Sequence, residues 1–285
     1  MIQEMLKEPA RLARRAVMTT RLALGALIVL GLSLSACASR RSLGTSSSHG
    51  PQDCAPTGSV GVANVGATTR IASEGMVDVE VTVGAAPSVS ISCDPALLPH
   101  IHVETRGDLL RIWTDSDIES NHAGRCVALV GSPHLLSFEA SGSGDGRILG
   151  RAEEMGHVVT SGSGDVEIDE LAAPTVRLET SGSGNVTARG LHARTLAIET
   201  NGSGDVHVAG TSERVQIECS GSGDVDARGL GAQAANASTS GSGDIEIQAS
   251  QLAEVNTSGS GDVVVHGHPA QRLANRDGSG SISFE

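Results

Sequence analysis

The stretch that decides the fold is residues 161–180, SGSGDVEIDELAAPTVRLET, which residues 181–200, SGSGNVTARGLHARTLAIET, repeat with small changes. The Ser-Gly-Ser-Gly string recurs every 18 to 20 residues from Ser141 onward. Its first glycines are Gly142, Gly162, Gly182, Gly202, Gly221, Gly241, Gly259 and Gly278. A period near twenty residues is typical of a solenoid, in which each unit stacks on the one before.

Each repeat contains two short alternating segments, such as Val176–Thr180 before the glycines and Val206–Val208 after them. Apolar residues at every second position, many of them β-branched, predict strands with one buried face. A third apolar column is expected at Leu171, Leu191, Leu230 and Leu252. The pattern predicts an all-β chain folded as a parallel β-helix with coils of about twenty residues.

The Ser-Gly-Ser-Gly string is interpreted as a structural corner between two strands, because it recurs in every repeat and an active site would be a single departure from the repeat. Glycine there is expected to adopt positive φ and to let stacked backbones approach closely. The second serine of each corner is expected to form a column of hydroxyls. The acidic column that follows is expected to cap turn amides; it comprises Asp145, Asp165, Asn185, Asp205, Asp224, Asp244 and Asp262.

The amino-terminal residues 1–36 resemble a lipoprotein signal peptide, with arginines ahead of the apolar run 22–34. Leu34-Ser35-Ala36-Cys37 resembles the bacterial lipobox, so Cys37 is predicted to carry a covalent lipid. Met18 is an alternative start to Met1. Residues 37–58 are rich in Ser, Gly and Pro, which predicts a flexible tether to the membrane. In Gram-negative lipoproteins, an aspartate after the lipidated cysteine signals retention in the inner membrane. Here that residue is Ala38, so resemblance to this rule favours the outer membrane of a Gram-negative bacterium.

The remaining chain is divided into a β region at 59–137 that caps or continues into the solenoid, and the solenoid itself at 138–285. Open solenoid ends expose strand edges and apolar layers, so they need caps. The chain has one Trp, two Phe and no Tyr. Phe138 and Phe284 are expected in the inward columns of the first and last coils.

Four cysteines remain besides Cys37. Cys219 occupies the column of Thr180, Thr200 and Thr239, so it is predicted to be a buried free thiol. A disulfide is expected among Cys54, Cys93 and Cys126, and the sequence does not say which two are joined.

The formal net charge of −13 argues against nucleic acid as a partner. Stacked aspartates keep calcium as an alternative ligand, but the nonapeptide spacing of calcium-binding solenoids does not fit, and no metal is expected. His100 with His102, and His266 with His268, could each share a strand face. Neither pair shows a third ligand at matching spacing, so solvated histidines are favoured.

At this point the sequence resembles the bacterial family called putative auto-transporter adhesin, head GIN domain, over roughly residues 59–285. The resemblance is carried by 76–83 (MVDVEVTV), 88–92 (SVSIS), 108–113 (DLLRIW), the repeated SGSGDV and 263–269 (VVVHGHP). It implies a right-handed β-helix, a cell-envelope location and no catalytic residues. The family's closing segment commonly has aromatic and Lys-Gly-Asn-Pro character, whereas this chain has His266-Gly267-His268-Pro269.

These patterns predict a non-enzymatic envelope lipoprotein, an adhesin or interaction or spacer module, held at the membrane by its lipid and bound to an envelope or extracellular protein. The alternative is a polysaccharide-active β-helix enzyme. Such enzymes need an acid and a base in a groove, usually beside aromatic platforms for sugar rings. No aromatic residue is expected on the outward face beside the acidic positions Glu139, Glu167, Glu179, Glu199, Glu218 and Asp226.

Overall fold

The structure of the chain is a computed structural model, and it describes residues 58–62, 65–116 and 126–285. The predicted signal peptide, Cys37, Cys54 and nearly all of the tether lie outside the described residues. No helix in the described part of the chain is long and apolar enough to cross a membrane.

The described residues form β-strands almost throughout. The strands are β1 (Gly58–Val62), β2 (Arg70–Gly75), β3 (Asp78–Val83), β4 (Ser88–Cys93), β5 (Ile101–Arg106), β6 (Leu109–Thr114), β7 (Val127–Ser132), β8 (Ser137–Gly142), β9 (Gly146–Ala152), β10 (His157–Thr160), β11 (Val166–Ala172), β12 (Thr175–Thr180), β13 (Val186–Thr200), β14 (Val206–Cys219), β15 (Val225–Thr239), β16 (Ile245–Thr257), β17 (Val263–His266), β18 (Gln271–Arg276) and β19 (Ile282–Phe284). A single 3-10 turn, Leu98–His100, precedes β5.

The repeats form two long parallel faces. We call sheet one the face built from β8, β10, β12, the second halves of β13 to β16, and β18. Sheet two contains β9, β11, the first halves of β13 to β16, then β17 and β19. Equivalent residues of successive repeats lie side by side, as Val176 does with Leu196 and Leu196 with Val215. The predicted β-solenoid is confirmed.

The interior is a set of aliphatic columns. Leu178, Ile198 and Ile217 are fully buried neighbours in sheet one, and Ile168 and Val208 are fully buried in sheet two. Because alternate side chains of a strand point to opposite faces, one repeat supplies both an aliphatic layer and a polar surface. From β10 onward, regular aliphatic layers fill the buried core without an aromatic ring.

The third apolar column is only partly as predicted. Leu171, Leu191 and Leu230 are fully buried. Leu252 was assigned to the wrong column, because it lies beside Ala234 at the start of the next sheet-one segment and is half-exposed. The interval between Gly241 and Gly259 is two residues shorter than a full repeat, so this coil has no equivalent leucine, and Ala249 is buried beside Ala232.

The corner glycines are required by close approach and not by positive φ, so the expectation of positive φ at the repeat corners is wrong. A Cβ on Gly182 would lie 1.8 Å from the carbonyl oxygen of Gly162, and one on Gly184 would lie 2.0 Å from that of Gly164. Any side chain at either position would therefore separate the coils. The second serines are exposed, and the bonds between coils at this position come from their amides, as from Ser183 N–H to the Gly162 carbonyl at 2.9 Å.

The strands before β8 do not stack in chain order. β2 lies between β6 and β8 in sheet one, and β3 lies between β7 and β9 in sheet two. The coil made by β2 and β3 therefore has a later part of the chain on each side. Beyond it, β5 pairs antiparallel with β6, β4 pairs antiparallel with β7, and β1 pairs antiparallel with β4. Residues 58–132 thus form the amino-terminal end of the solenoid.

The two ends are finished differently. Phe138 is fully buried beside Ile71 of β2, inside the stack. At the other end β18 is exposed along its whole length, and the Arg272 guanidinium lies 5.1 Å from the centre of the half-exposed Phe284 ring. Arg272 stands in the column occupied by the buried Ala253 in the preceding coil. A charged side chain at an inward position discourages further strand pairing at that edge.

Candidate binding face at the amino-terminal end

The predicted corner residues form a ladder that runs along the solenoid. Asp165 Oδ1 accepts a hydrogen bond from the Asn185 amide at 2.8 Å, and Asn185 Oδ1 accepts one from the Asp205 amide at 2.8 Å. The same bond links every neighbouring pair in the series Asp78, Asp145, Asp165, Asn185, Asp205, Asp224, Asp244, Asp262 and Ser281. Each side chain therefore serves the amide of the next coil, and not a turn of its own.

This ladder explains the acidic column without a ligand. One acceptor oxygen per coil is sufficient, and Asn185 supplies it as well as an aspartate does. In the described part of the chain, no group of three or more His, Cys, Asp or Glu side chains is arranged to hold a metal ion. The amide of Ser281 lowers the pKa of Asp262 at the end of the ladder.

The outer faces carry rows of ion pairs that hold carboxylates ionised. Arg228 contacts Asp226 at 2.7 Å and Glu246 at 3.1 Å, and it lowers the pKa of Asp226 to about 2. Arg189, more than Arg147, lowers the pKa of Glu167. Among the described carboxyl groups, every shift that is resolved is downward. Glycoside hydrolysis requires one carboxyl group with a raised pKa as the general acid, and the shifts at these ion pairs are in the opposite direction.

The most distinctive surface is on the outer side of β2, β6 and β5, and we call it the Trp113 face. Its residues are Glu74, His100, His102, Arg111, Trp113 and Asp115. Trp113, the only tryptophan of the chain, lies between His102 of β5 and Glu74 of β2 in the strand register and is half-exposed. Its ring stacks on His102 at 5.1 Å, and the Arg111 guanidinium lies 4.7 Å from the ring centre.

Arg111 is fixed by a two-point contact. Its Nε and one terminal nitrogen each lie 2.7 Å from an oxygen of Glu74, and this pair lowers the pKa of Glu74. A bidentate geometry holds the guanidinium plane in one orientation, over the tryptophan ring. The ion pair with Glu74 therefore holds Arg111 against the tryptophan ring.

The structure supplies the partner that the sequence did not reveal for His100 and His102. His102 Nε2 lies 2.6 Å from Asp115 Oδ1, and His100 Nδ1 lies 3.2 Å from Asp115 Oδ2. The two contacts lower the pKa of Asp115, with His102 the larger cause. Asp115 is 13 residues from His102, at the end of the neighbouring strand β6, so only the antiparallel register of β5 and β6 brings them together. A hairpin signal at Arg106-Gly107-Asp108, where Gly107 has φ of +65°, could have predicted that register.

The second histidine pair is not brought together in this way. His266 contacts Glu246 at 3.3 Å and Glu285 at 3.4 Å. His268 lies beyond Gly267, is exposed and has a φ of 48°.

The three cysteines in the described part of the chain form one disulfide and one free thiol. Cys93, at the end of β4, forms a disulfide with Cys126, just before β7. Cys219 is a buried free thiol in the column of Thr200 and Thr239, and its Sγ lies 3.4 Å from the Gly223 carbonyl oxygen. Thr239 makes the equivalent contact with Gly243 at 3.3 Å.

Comparison with known proteins agrees with this architecture. A putative adhesin from Bacteroides fragilis is 22% identical with a TM-score of 0.61, and a putative adhesin from Parabacteroides distasonis is 21% identical with a TM-score of 0.70. A putative lipid binding protein from Parabacteroides distasonis is 26% identical with a TM-score of 0.69. Each alignment covers 80% of this chain and 96% of the other. The search of curated proteins found no match.

The family comparison covers most of the solenoid. The model described as putative auto-transporter adhesin, head GIN domain, matches residues 68–269, which is more than half of the chain. This range runs from just before β2 to just after β17, so it includes the Trp113 face and all the regular coils. The chain belongs to the family of putative auto-transporter adhesins with a head GIN domain.

Proposed function

We propose that the protein is a non-enzymatic interaction module of the cell envelope that binds a partner protein through the Trp113 face. The observation that carries the proposal is the placement of the only tryptophan, half-exposed between Arg111 and His102. Tryptophan and arginine are the residues most enriched among those that dominate binding energy at protein interfaces. The family and two of the structural relatives are described as putative adhesins, which is a binding role.

Affinity capture from envelope extracts tests this proposal. The bait is the full-length chain with a carboxy-terminal tag, as wild type, Trp113→Ala and Leu273→Ala. Leu273 is the matched control, because it is 55% exposed and lies at the opposite end of the solenoid. We expect Trp113→Ala to weaken partner binding by about thirtyfold and Leu273→Ala to leave it unchanged. Equal capture by all three, with equal thermal stability, would contradict the proposal.

We further propose that a lipid on Cys37 holds the module at the outer membrane and that the chain has no turnover on polysaccharides. The lipobox at the end of the apolar run supports the anchor. Cys37→Ser should abolish palmitate labelling and release soluble protein; unchanged labelling would contradict it. The lowered carboxyl pKa values support the absence of turnover. Release of reducing ends above that of heat-denatured protein would overturn that part.

A further inference from the structure

The two sheets of the solenoid do not end at the same level at the amino-terminal end. Counted outward from the coil of β2 and β3, sheet two continues through β7, β4 and β1, which is three strands. Sheet one continues through β6 and β5, which is two strands. Among the described residues, sheet one therefore has no strand opposite β1, and β5 pairs with β6 alone.

The free edge of β5 can form main-chain hydrogen bonds. The Asp115 amide donates to the His100 carbonyl at 3.1 Å, which makes these two residues a hydrogen-bonded pair. In an antiparallel ladder such pairs alternate, so His102 with Trp113 and Glu104 with Arg111 are hydrogen-bonded pairs as well. It follows that the N–H and C=O groups of Val103 and Thr105 point away from β6, toward the position opposite β1 where the described part of the chain places no strand.

The side chains beside this edge define what would fit. Ile101 and Val103 are only partly buried and pack against the end of the core. Glu104 is on the same face of β5 as His102, lies beside Arg111 in the register, and contacts Arg106 of its own strand at 2.8 Å. The apolar residues of an alternating strand would lie over Val103, and the residues between them would lie on the outer face of the sheet beside Glu104. The net charge of −13 favours a basic partner.

A second copy of this chain does not fit the same edge. Symmetric pairing of β5 with its copy would place four strands between the two β2 strands, namely β6, β5 and their copies. Between the two β3 strands, sheet two would have to place six strands, namely β7, β4, β1 and their copies, over the same distance in which sheet one places four. One strand added to β5 gives three outer strands on each sheet.

We propose that β5 accepts an extended, alternately apolar and basic segment of a different protein, which adds to sheet one beside Trp113 by strand addition. The proposal rests on the proposed function and specifies how the partner binds. The strand provides main-chain hydrogen bonds to Val103 and Thr105, and Trp113 with His102 lies one strand away from it on the outer face.

The test uses full-length chain and an acetylated peptide of alternating valine and lysine as the probe. Trp113 is the only tryptophan, so its fluorescence reports on binding near β5 directly. Thr105→Pro removes an exposed amide that faces the free edge, whereas Thr105→Ala keeps it. We expect a saturable fluorescence change, about tenfold weaker binding with Thr105→Pro, and binding within about twofold of wild type with Thr105→Ala.

Three results would overturn the proposal: no saturable change, equal binding by the two Thr105 variants, or a dimer in sedimentation that only Thr105→Pro dissociates. The last result would identify a second copy as the occupant. Capture from envelope extracts separates this proposal from the proposed function. If Trp113→Ala loses the partner and Thr105→Pro keeps it, the Trp113 face binds a protein but not by strand addition. If neither variant changes capture, the proposed function fails.

Discussion

The regular coils from β10 to β16 and the strands before β8 use the same two sheets in different ways. In the regular coils, residues of similar type lie at equivalent positions in neighbouring coils. Their hydrogen bonds and aliphatic contacts therefore join one coil to the next. Before β8 the strands change direction, chain order and side-chain type, and Trp113, the histidine pair and the disulfide all occur there. A repeated surface offers the same contacts at every coil, whereas a specific site requires a departure from the repeat.

The largest effect is expected from removing the irregular end, residues 59–137. A chain lacking residues 59–137 would expose the edges of β8 and β9 and the fully buried Phe138. We expect it to aggregate, because an uncapped solenoid end offers unpaired strands over apolar layers. Size-exclusion chromatography and thermal melts measure this. A soluble fragment 138–285 that unfolds cooperatively would show that the irregular end is not a cap.

A single glycine tests the regular coils. Gly202→Ala should destabilise the protein by about 3 kcal/mol, because its Cβ would lie 1.9 Å from the Gly182 carbonyl oxygen and neighbouring coils cannot separate locally. Gly231→Ala is the matched control, since the nearest atom to its Cβ would be 3.9 Å away, and we expect a change within about 0.5 kcal/mol. Urea unfolding of both variants gives the two values. Similar losses would mean that the coils tolerate a methyl group at the corner.

The disulfide tests how the irregular end is held. Replacing Cys93 and Cys126 together with alanine should cost about 2 to 3 kcal/mol, because the bridge closes a span of 33 residues. Cys219→Thr is the control in the regular coils and should change stability by less than about 1 kcal/mol, because threonine occupies the same column in the coils on either side. If denaturant melts show the order reversed, the free thiol has a role that its column does not explain.

The pairing of Asp226 with Arg228 predicts a pH dependence for the outer face of sheet two. The Asp226 pKa falls from 3.8 to about 2 in the folded state, so the pair stabilises the fold above pH 3.8 and this contribution is lost as the pH falls toward 2. Asp226→Asn should lower the free energy of unfolding by about 1 kcal/mol at neutral pH and by almost nothing near pH 2. Glu213→Gln, at a carboxyl group without an ion pair among the described residues, should give the same small change at every pH. A pH-independent loss for Asp226→Asn would contradict the ion-pair explanation.

The corner ladder is expected to give an effect no larger than that of the ion pair. Asp205→Ala removes the acceptor of the Asp224 amide and should cost about 1 kcal/mol, while Asp205→Asn should be mild because Asn185 already makes the same bond. A calcium site would behave differently, with both variants harmful and a melting temperature that rises steeply with Ca²⁺. Thermal melts with Ca²⁺ and with chelator decide between them. A large calcium-dependent shift lost in both variants would overturn the ladder explanation.

The repeat alone was enough to predict the β-solenoid, the aliphatic columns and the buried Cys219, because each follows from a period and an alternation that the sequence repeats. The position of Leu252 was predicted wrongly, since one shortened coil shifts its register. The contacts of Asp115 with the two histidines were not predicted, because they depend on a strand reversal that occurs once and whose only sequence signal is the turn at Gly107. The same holds for the place of β2 and β3 between later strands, which the chain order conceals. Contacts that occur only once in the fold produce no periodic pattern in the sequence.

The place of β2 and β3 inside the stack has a consequence for how the chain folds. From β10 onward, neighbouring coils are joined by residues 18 to 20 positions apart, so each new coil closes a short loop on its predecessor. The ladder bond between Asp78 and the Asp145 amide spans 67 residues, so the coil of β2 and β3 joins the stack only by closing a much longer loop. Contacts between residues far apart in sequence form more slowly than local ones, and a solenoid can begin to fold at any of its coils. The regular coils are therefore expected to form first, and amide protection measured during refolding should appear in β13 to β15 before β2.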